Sequence, residues 1–228
     1  MFATMRSEVL PEGEARLQPL SEQAIAGRQQ IEQQVAPSDT YPALGEPLAI
    51  EFANSLFTDS GRPLDVLTTP AGLTRWLEVN AERIDAPLPR RVGTSDLKRA
   101  LELRTLIRAL LAKAVDGDPP PTATVRRLNE LAALAPITAR LHWKADEAPK
   151  AHLSLSGAGR LDELLALLAQ SAIHVLGGSD AGRLRRCEAP GCINYYLKDH
   201  PRRAWCSAKC GNRVRVARHY HRTHRTQP

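Results

Sequence analysis

The cysteines constrain the fold of this chain more than any other feature. All four lie within one short stretch, spaced C-x4-C-x13-C-x3-C. Zn²⁺ takes four thiolates tetrahedrally at about 2.3 Å, and two close cysteine pairs bring four sulfurs together at a small entropic cost of loop closure. The pattern therefore predicts a zinc site. Its predicted ligands are Cys187, Cys192, Cys206 and Cys210.

The composition indicates a soluble protein with one main domain and a small accessory module. The chain has 228 residues, of which 43% are hydrophobic, enough for one substantial core. No run reaches the roughly 18 apolar residues of a membrane span, and the first residues contain acidic side chains where a signal peptide needs an apolar run. We therefore expect a cytoplasmic protein without membrane contact. In that reducing compartment metal ligation is favoured over the alternative, a set of disulfides.

The charge of the chain changes sign along its length. From Arg183 to the C-terminus there are twelve Lys or Arg residues and two acidic ones, whereas the first 182 residues contain 19 basic and 23 acidic side chains. A basic segment attached to a mildly acidic body predicts binding to a polyanion. DNA is the first expectation, and RNA stays an open alternative.

Apolar periodicity predicts an α+β fold that is mainly helical and contains one small β-hairpin. Thr69 followed by Pro70 predicts a helix start, and the glycine pair after Leu176 predicts the end of the last apolar helix. Alternating apolar residues on both sides of residues 146–149 predict the hairpin. The predicted helices cover 48–56, the segment after Thr69, 95–115, 122–135 and 161–176, and the predicted strands cover 137–143 and 151–155.

Composition divides the chain into four parts. Residues 1–42 are rich in Glu, Gln and Pro and are predicted to be mostly disordered, with one helical stretch near 21–35. The helical and hairpin domain covers 43–176. Residues 177–182 (GGSDAG) predict a short linker that leaves the orientation of the next module free. That metal-binding module covers 183–228.

Short motifs in the basic module carry a family resemblance. Arg185–Cys192 (RRCEAPGC), Trp205–Ser207 (WCS) and Cys210–Arg213 (CGNR) together resemble the CGNR zinc finger family, whose members carry this finger behind an ABATE domain. Ala49–Ser55 (AIEFANS) and Leu73–Leu77 (LTRWL) are similar to the start of that domain. The resemblance implies a stress-induced transcription regulator and supports Zn²⁺ as the cofactor.

The module is predicted to have a treble-clef-like or ribbon-like fold and to end in a basic helix from Ser207 to about His224. Ser207 is a good N-cap, and a thiolate in the first turn is stabilised by the free N–H groups of the helix. One face of this helix carries an arginine stripe, and the other carries Val214, Val216, Ala217 and Tyr220. The candidate nucleic-acid contacts of the whole module are Arg185, Arg186, Arg202, Arg203, Lys209, Arg215, Arg218, Arg222 and Arg225.

Other residues of the module are predicted to be structural. Asn212 and Arg213 lie next to a cysteine, so we expect Asn212 to bond the backbone near the metal and Arg213 to pair with a carboxylate of the acidic body. Tyr195, Tyr196 and Trp205 are predicted to form the small core of the finger.

These observations support two functional hypotheses. The preferred one is a zinc-finger DNA-binding transcription regulator whose N-terminal domain senses a small-molecule effector or binds a partner, with a homodimer as an open expectation. The alternative is a zinc-stabilised adapter or ligand-binding protein, without direct nucleic-acid binding, whose basic helix docks on an acidic protein surface. An enzyme is not predicted, because the chain contains no GxGxxG, P-loop, GxSxG or HExxH signature.

Overall fold

A computed structural model describes residues 36–37, 41, 43–59, 62–84, 88–135, 137–155 and 161–224. The predicted helical stretch near 21–35 and the candidate contact Arg225 lie outside the described residues. No described helix is both long enough and apolar enough to cross a membrane.

Six helices build the main domain as it is described. They are α1 (Leu48–Ala53), α2 (Pro70–Val79), α3 (Ala81–Ile84), α4 (Thr94–Asp116), α5 (Thr122–Ala132) and α6 (Leu161–Gly177). The local signals that predicted them are present. The Thr69 side chain accepts a hydrogen bond from the Gly72 N–H at 3.1 Å and caps α2, and α4 ends at Gly117, whose φ of 75° lies in the left-handed region.

Helix α6 lies at the centre of the main core, because it packs against α1, α4 and α5. Its buried face includes Leu164, Leu165 and Ala172, which share one hydrophobic core with Phe52 of α1 and Ile107 of α4. The mainly helical α+β fold predicted from the periodicity is confirmed.

The described strands of this domain form two small sheets. In the first, β2 (Leu56–Asp59) and β3 (Arg62–Asp65) pair antiparallel, and β1 (Ala36–Pro37) pairs with β3 in parallel. The second is the predicted hairpin, in which β4 (Ile137–His142) and β5 (Lys150–Leu155) pair antiparallel.

One predicted helix was too long. The four-residue spacing of Leu48, Phe52 and Leu56 predicted a helix through Leu56, but α1 ends at Ala53 and Leu56 begins β2. The Ser55 hydroxyl donates to the Phe52 carbonyl at 2.7 Å, and that carbonyl also accepts from the Ser55 N–H. Local bonds of this kind from a serine compete with helix continuation and end α1 early.

The basic module begins close to the end of α6. A 3-10 turn (Ala181–Arg183) leads into β6 (Leu184–Arg186), which pairs antiparallel with β7 (Tyr195–Leu197), and α7 (Ala208–His224) comes last. Gly178 turns the chain where a Cβ would lie 2.4 Å from the His174 carbonyl oxygen, so only glycine fits there. The predicted linker is therefore a tight, structured turn.

Candidate metal centre

The four cysteines come from two places in the module, the connection between β6 and β7 and the start of α7, and their side chains meet at one point. Cys187 follows β6, Cys192 lies just before β7, and Cys206 and Cys210 lie on either side of the start of α7. All four are buried, and their sulfur atoms lie within 4.8 Å of one another. This arrangement, a strand-connecting knuckle joined to a helix N-terminus, fits the treble-clef-like form of the prediction.

The sulfur positions fit a tetrahedral zinc ion. Cys192 Sγ lies 3.8 Å from Cys206 Sγ and 3.8 Å from Cys210 Sγ, and Cys206 Sγ lies 3.7 Å from Cys210 Sγ. Four sulfurs at about 2.3 Å from a central ion form a tetrahedron with edges of about 3.8 Å. The donor set and its spacing are therefore those of a structural zinc site.

Local backbone chemistry holds these cysteines in place. The Cys192 N–H donates to the Ala189 carbonyl at 2.9 Å across Pro190 and Gly191, and Gly191 has a φ of 71°. Proline followed by a glycine of positive φ is the sequence of a type II turn, in which Gly191 supplies the positive φ and Pro190 favours the preceding position. At the other pair, Ser207 Oγ accepts from the Cys210 N–H at 3.3 Å and caps α7.

The thiols cannot all ionise side by side. Hydrogen bonds from Cys192 and Cys206 lower the pKa of Cys187 to about 2. The bond between Cys192 and Cys187 in turn raises the pKa of Cys192 to about 12. A divalent cation removes this competition, because all four residues then bind it as thiolates.

A small core surrounds the metal ligands. Tyr196 is buried within it and donates its hydroxyl to the Arg203 carbonyl at 3.2 Å, while Val214 closes it from α7. Trp205 lies against Gly211, where a Cβ would come 3.2 Å from the indole ring. The glycine of the CGNR motif therefore lets the helix pass close to the indole.

Comparison with protein families identifies both parts of the chain. A family model described as "Putative stress-induced transcription regulator" (ABATE) matches residues 46–179, and a CGNR zinc finger model matches residues 183–223. The chain belongs to the ABATE family and carries a CGNR zinc finger. A search of curated proteins finds no match. The family resemblance and the Zn²⁺ cofactor predicted from the sequence are confirmed.

The CGNR finger is fixed to the ABATE domain through the backbone of β7. Asn54, a buried residue just after α1, donates to the Tyr195 carbonyl at 2.8 Å and accepts from the Tyr195 N–H at 2.9 Å. Its amide thus pairs with β7 as a neighbouring strand would. On the apolar side, Leu184, Tyr195 and Leu197 belong to the main core, whereas Tyr196 faces the zinc ligands.

Glu46 makes the second connection between the ABATE domain and the CGNR finger. Its carboxylate accepts from the Leu197 N–H at 2.9 Å and from Arg203 Nη2 at 2.8 Å. The loop that carries Glu46 is held in turn by the fully buried Glu51, whose Oε1 accepts from the backbone N–H groups of Leu44 and Glu46, each at 2.9 Å. Burial raises the pKa of Glu46, although the Leu197 N–H and Arg203 oppose this shift.

Arg108 of α4 is a third link. It donates to the carbonyls of Ala53 at 2.7 Å and Ile193 at 3.1 Å, and its guanidinium lies 5.5 Å from the centre of the Tyr195 ring. Together with Asn54 and Glu46, these contacts fix the finger on the domain. The expectation of a free orientation is therefore wrong.

Sequence reasoning missed Glu46, Asn54 and Arg108 as interface residues. The signal available for Asn54 was its position in the apolar run AIEFANS, where Glu51 and Asn54 are the polar residues of the predicted helix before Ser55. Buried polar groups need partners. The partner of Asn54 is Tyr195, 141 residues away, so the sequence alone does not identify it.

Several predicted nucleic-acid contacts are engaged with the protein itself. Arg203 is the clearest correction: its guanidinium binds Glu46 and the carbonyls of Leu197 and Cys206, and lies 4.7 Å from the Tyr196 ring centre. It is therefore a structural residue of the interface.

Three further predicted contacts also have partners within the protein. Arg186 pairs with Asp116 at 3.3 Å, and Lys209 pairs with Asp59 at 2.6 Å. Arg185 donates to the Gly182 and Leu184 carbonyls.

The arginine stripe of α7 is open to solvent. Arg215, Arg218 and Arg222 are exposed and line, together with His219, a groove of about 670 Å³. Arg202 is also exposed, in the loop before the third cysteine.

The predicted apolar face of α7 is only partly correct. Val214 is buried, but Val216 is 68% exposed and Tyr220 57% exposed, because α7 extends beyond the core of the finger. Ala217 is exposed as well.

The two structural candidates beside the metal differ from their predicted contacts. Asn212 is exposed and accepts a hydrogen bond from Arg215 rather than bonding the backbone. Arg213 reaches a sulfur instead of a carboxylate, with Nη2 3.9 Å from Cys210 Sγ.

Proposed function

We propose that this protein is a transcription regulator that binds DNA through α7 of its CGNR finger. The observation that carries the proposal is the exposed stripe of Arg215, Arg218 and Arg222. The sequence of α7 contains five Lys or Arg residues and no acidic residue, so the helix has a net positive charge. Arginine binds phosphates or guanine edges with its planar fork.

The geometry of the stripe suits a nucleic-acid backbone. Seven residues separate Arg215 from Arg222, which corresponds to about 10 Å along a helix axis. Duplex DNA has one negative charge per about 1.7 Å of its axis, so several phosphates lie within that length. Because Asn54 and Glu46 fix the finger on the ABATE domain, the domain would set the direction in which α7 meets DNA.

Measuring duplex DNA binding against salt tests this proposal. Three phosphate contacts predict that log K falls against log salt with a slope of about −3. The triple variant Arg215→Gln, Arg218→Gln, Arg222→Gln should flatten this slope. Lys209→Gln is the matched control, because Lys209 lies on the same helix but is paired with Asp59.

Two outcomes would contradict DNA binding by the stripe. One is a flat salt dependence of the native protein, and the other is a triple variant that retains native affinity with its full zinc content. Tighter binding to RNA than to duplex DNA in the same titration would instead identify RNA as the partner.

The adapter alternative is addressed by the same variants. Docking on the ABATE domain uses β7, Glu46 and Arg203, whereas Arg215 and Arg218 are exposed. This disfavours the version in which the stripe binds the protein's own domain. Binding to an acidic protein that is lost in the triple variant, with no measurable nucleic-acid affinity, would favour the adapter.

The ABATE domain is proposed as the sensor. A cavity of about 460 Å³ lies between α1, α3 and α6, lined by apolar residues such as Leu48 and Ile84 together with Arg83 and His174. This volume lies in the range of small-molecule sites. Arg83 binds the Glu46 backbone carbonyl, which links the cavity wall to the residue that holds the finger.

Native mass spectrometry of protein isolated from cells tests the sensor. A small molecule is expected to stay bound to the native chain and to be lost when Leu48→Trp fills the cavity. Absence of any added mass, together with unchanged DNA binding by Leu48→Trp, would contradict a ligand at this position.

A further inference from the structure

Arg213 lies next to one of the metal-binding cysteines. It lies on α7 three residues after Cys210, its side chain is partly buried, and Nη2 lies 3.9 Å from Cys210 Sγ. Its Nε is buried and has no hydrogen-bond partner among the described residues. Burial of an unpaired donor costs free energy, so a guanidinium placed here needs a compensating interaction.

The charge of the zinc site can supply that interaction. One Zn²⁺ with four thiolates has a net charge of −2, and Cys187, Cys192, Cys206 and Cys210 are each at least 92% buried. A buried net charge is unfavourable unless a nearby group of opposite sign compensates it. Within the described ranges, Arg213 is a cationic side chain that reaches one of these sulfurs.

We propose that Arg213 is a positioning residue of the zinc centre, donating N–H to the Cys210 thiolate and neutralising part of the excess negative charge. It sets the affinity of the finger for zinc and the reactivity of Cys210. Hydrogen bonds around a metal's ligands commonly change metal affinity 10–100-fold. This role does not depend on DNA binding, because it concerns only the zinc ion, its ligand Cys210 and the side chain of Arg213.

Arg215 is a natural control for Arg213. It lies on the same helix two residues further on, but it is exposed and donates to Asn212. Removal of its charge changes the net charge of the finger by the same amount without touching the sulfur. Any difference between the two variants therefore reports on the contact with Cys210.

Competition with a chromophoric chelator in the full-length protein measures the zinc affinity. Arg213→Gln is expected to weaken zinc binding about tenfold or more, and Arg215→Gln should match the native protein. Arg213→Lys retains the charge but not the planar fork, so a smaller loss is expected. Equal zinc affinities of Arg213→Gln and Arg215→Gln would overturn the proposal.

Alkylation of the zinc-loaded protein with iodoacetamide, mapped by mass spectrometry, separates this role from a general loss of packing. Loss of an N–H donor should accelerate modification at Cys210 more than at Cys187, since only the Cys210 sulfur loses its hydrogen bond. Uniform acceleration at all four cysteines would contradict the assignment. If Arg213→Gln does not fold, Arg213→Lys is compared with Arg215→Lys, and equal affinity and equal Cys210 reactivity of that pair would overturn it.

Discussion

The ABATE domain and the CGNR finger are stabilised by different means. The ABATE domain buries a continuous apolar core that includes Phe52, Trp76, Leu103 and Leu165. The separate core of the finger consists of four cysteines and three further buried residues, Ala189, Tyr196 and Val214. A core that small cannot offset the entropy of ordering the chain, so the finger depends on its metal and on its contacts with the domain.

The two regions also share a strand. Along β7, Tyr195 and Leu197 belong to the ABATE core, whereas Tyr196 belongs to the zinc core. This alternation arises from the two-residue period of a β-strand, whose neighbouring side chains point to opposite faces. The boundary marked by the change in charge is therefore not a boundary in packing. A substitution that destabilises one region should also lower the stability of the other.

Loss of the metal is the largest expected change. Cys206→Ser, or chelation of the native protein, should unfold the finger, because zinc binding contributes about 10–16 kcal/mol in modules of this kind. Limited proteolysis with trypsin should then cleave in 183–224 while helices of the ABATE domain persist in circular dichroism. The melting temperature of the domain should also fall, since Tyr195 and Leu197 leave its core.

A chelated finger that resists trypsin as well as the native one does would contradict the claim that the finger depends on its metal for folding. Arg202→Ser is the control for Cys206→Ser, because it introduces a serine at an exposed position and removes a trypsin site without removing a zinc ligand. This control should retain both its zinc and its melting temperature.

Asn54→Ala is expected to have the next largest effect. It leaves the Tyr195 N–H and carbonyl without the partners that Asn54 provides, and each buried unpaired group costs about 1–3 kcal/mol. Urea unfolding should show a loss of about 2–5 kcal/mol, while zinc stays bound. Asn212→Ala, at an exposed position, serves as the control and should unfold like the native protein. Release of zinc by Asn54→Ala would mean that docking and metal binding cannot be separated.

The parts that sequence reasoning found are those that local chemistry determines. The start of α2 is set by Thr69 and Pro70, and the ligands are set by the thiolate preference of zinc together with the spacing of four cysteines. The start of β2 at Leu56 was missed because its spacing continued a helical pattern. The contacts of Glu46 with Leu197 and Arg203 were missed because they join residues 151 and 157 positions apart, and no local pattern encodes such a pair.

Glu46 should make the stability of the docked finger depend on pH. Burial raises the pKa of its carboxyl above the ordinary value of 4.5. Protonation of Glu46 is therefore more favourable in the folded protein than in the unfolded chain, so this contribution to stability is fully present below pH 4.5 and declines as the pH rises through the raised pKa. Unfolding measured between acidic and neutral pH should show this decline in the native chain and lose it in Glu46→Gln. Identical pH profiles of the two proteins would contradict the effect.

Thr69→Ala is expected to have the smallest effect, and it acts only on the ABATE domain. It removes the hydrogen bond from the Gly72 N–H that caps α2, which should cost about 1 kcal/mol in urea unfolding. Thr122→Ala is the matched control, because the start of α5 has no side-chain cap bond to lose. Zinc affinity should be unchanged in both variants, since α2 lies outside the finger and the cap does not contribute to β7. A fall in zinc affinity with Thr69→Ala would show that zinc binding depends on the stability of the whole ABATE domain, and not only on β7, the strand that the two regions share.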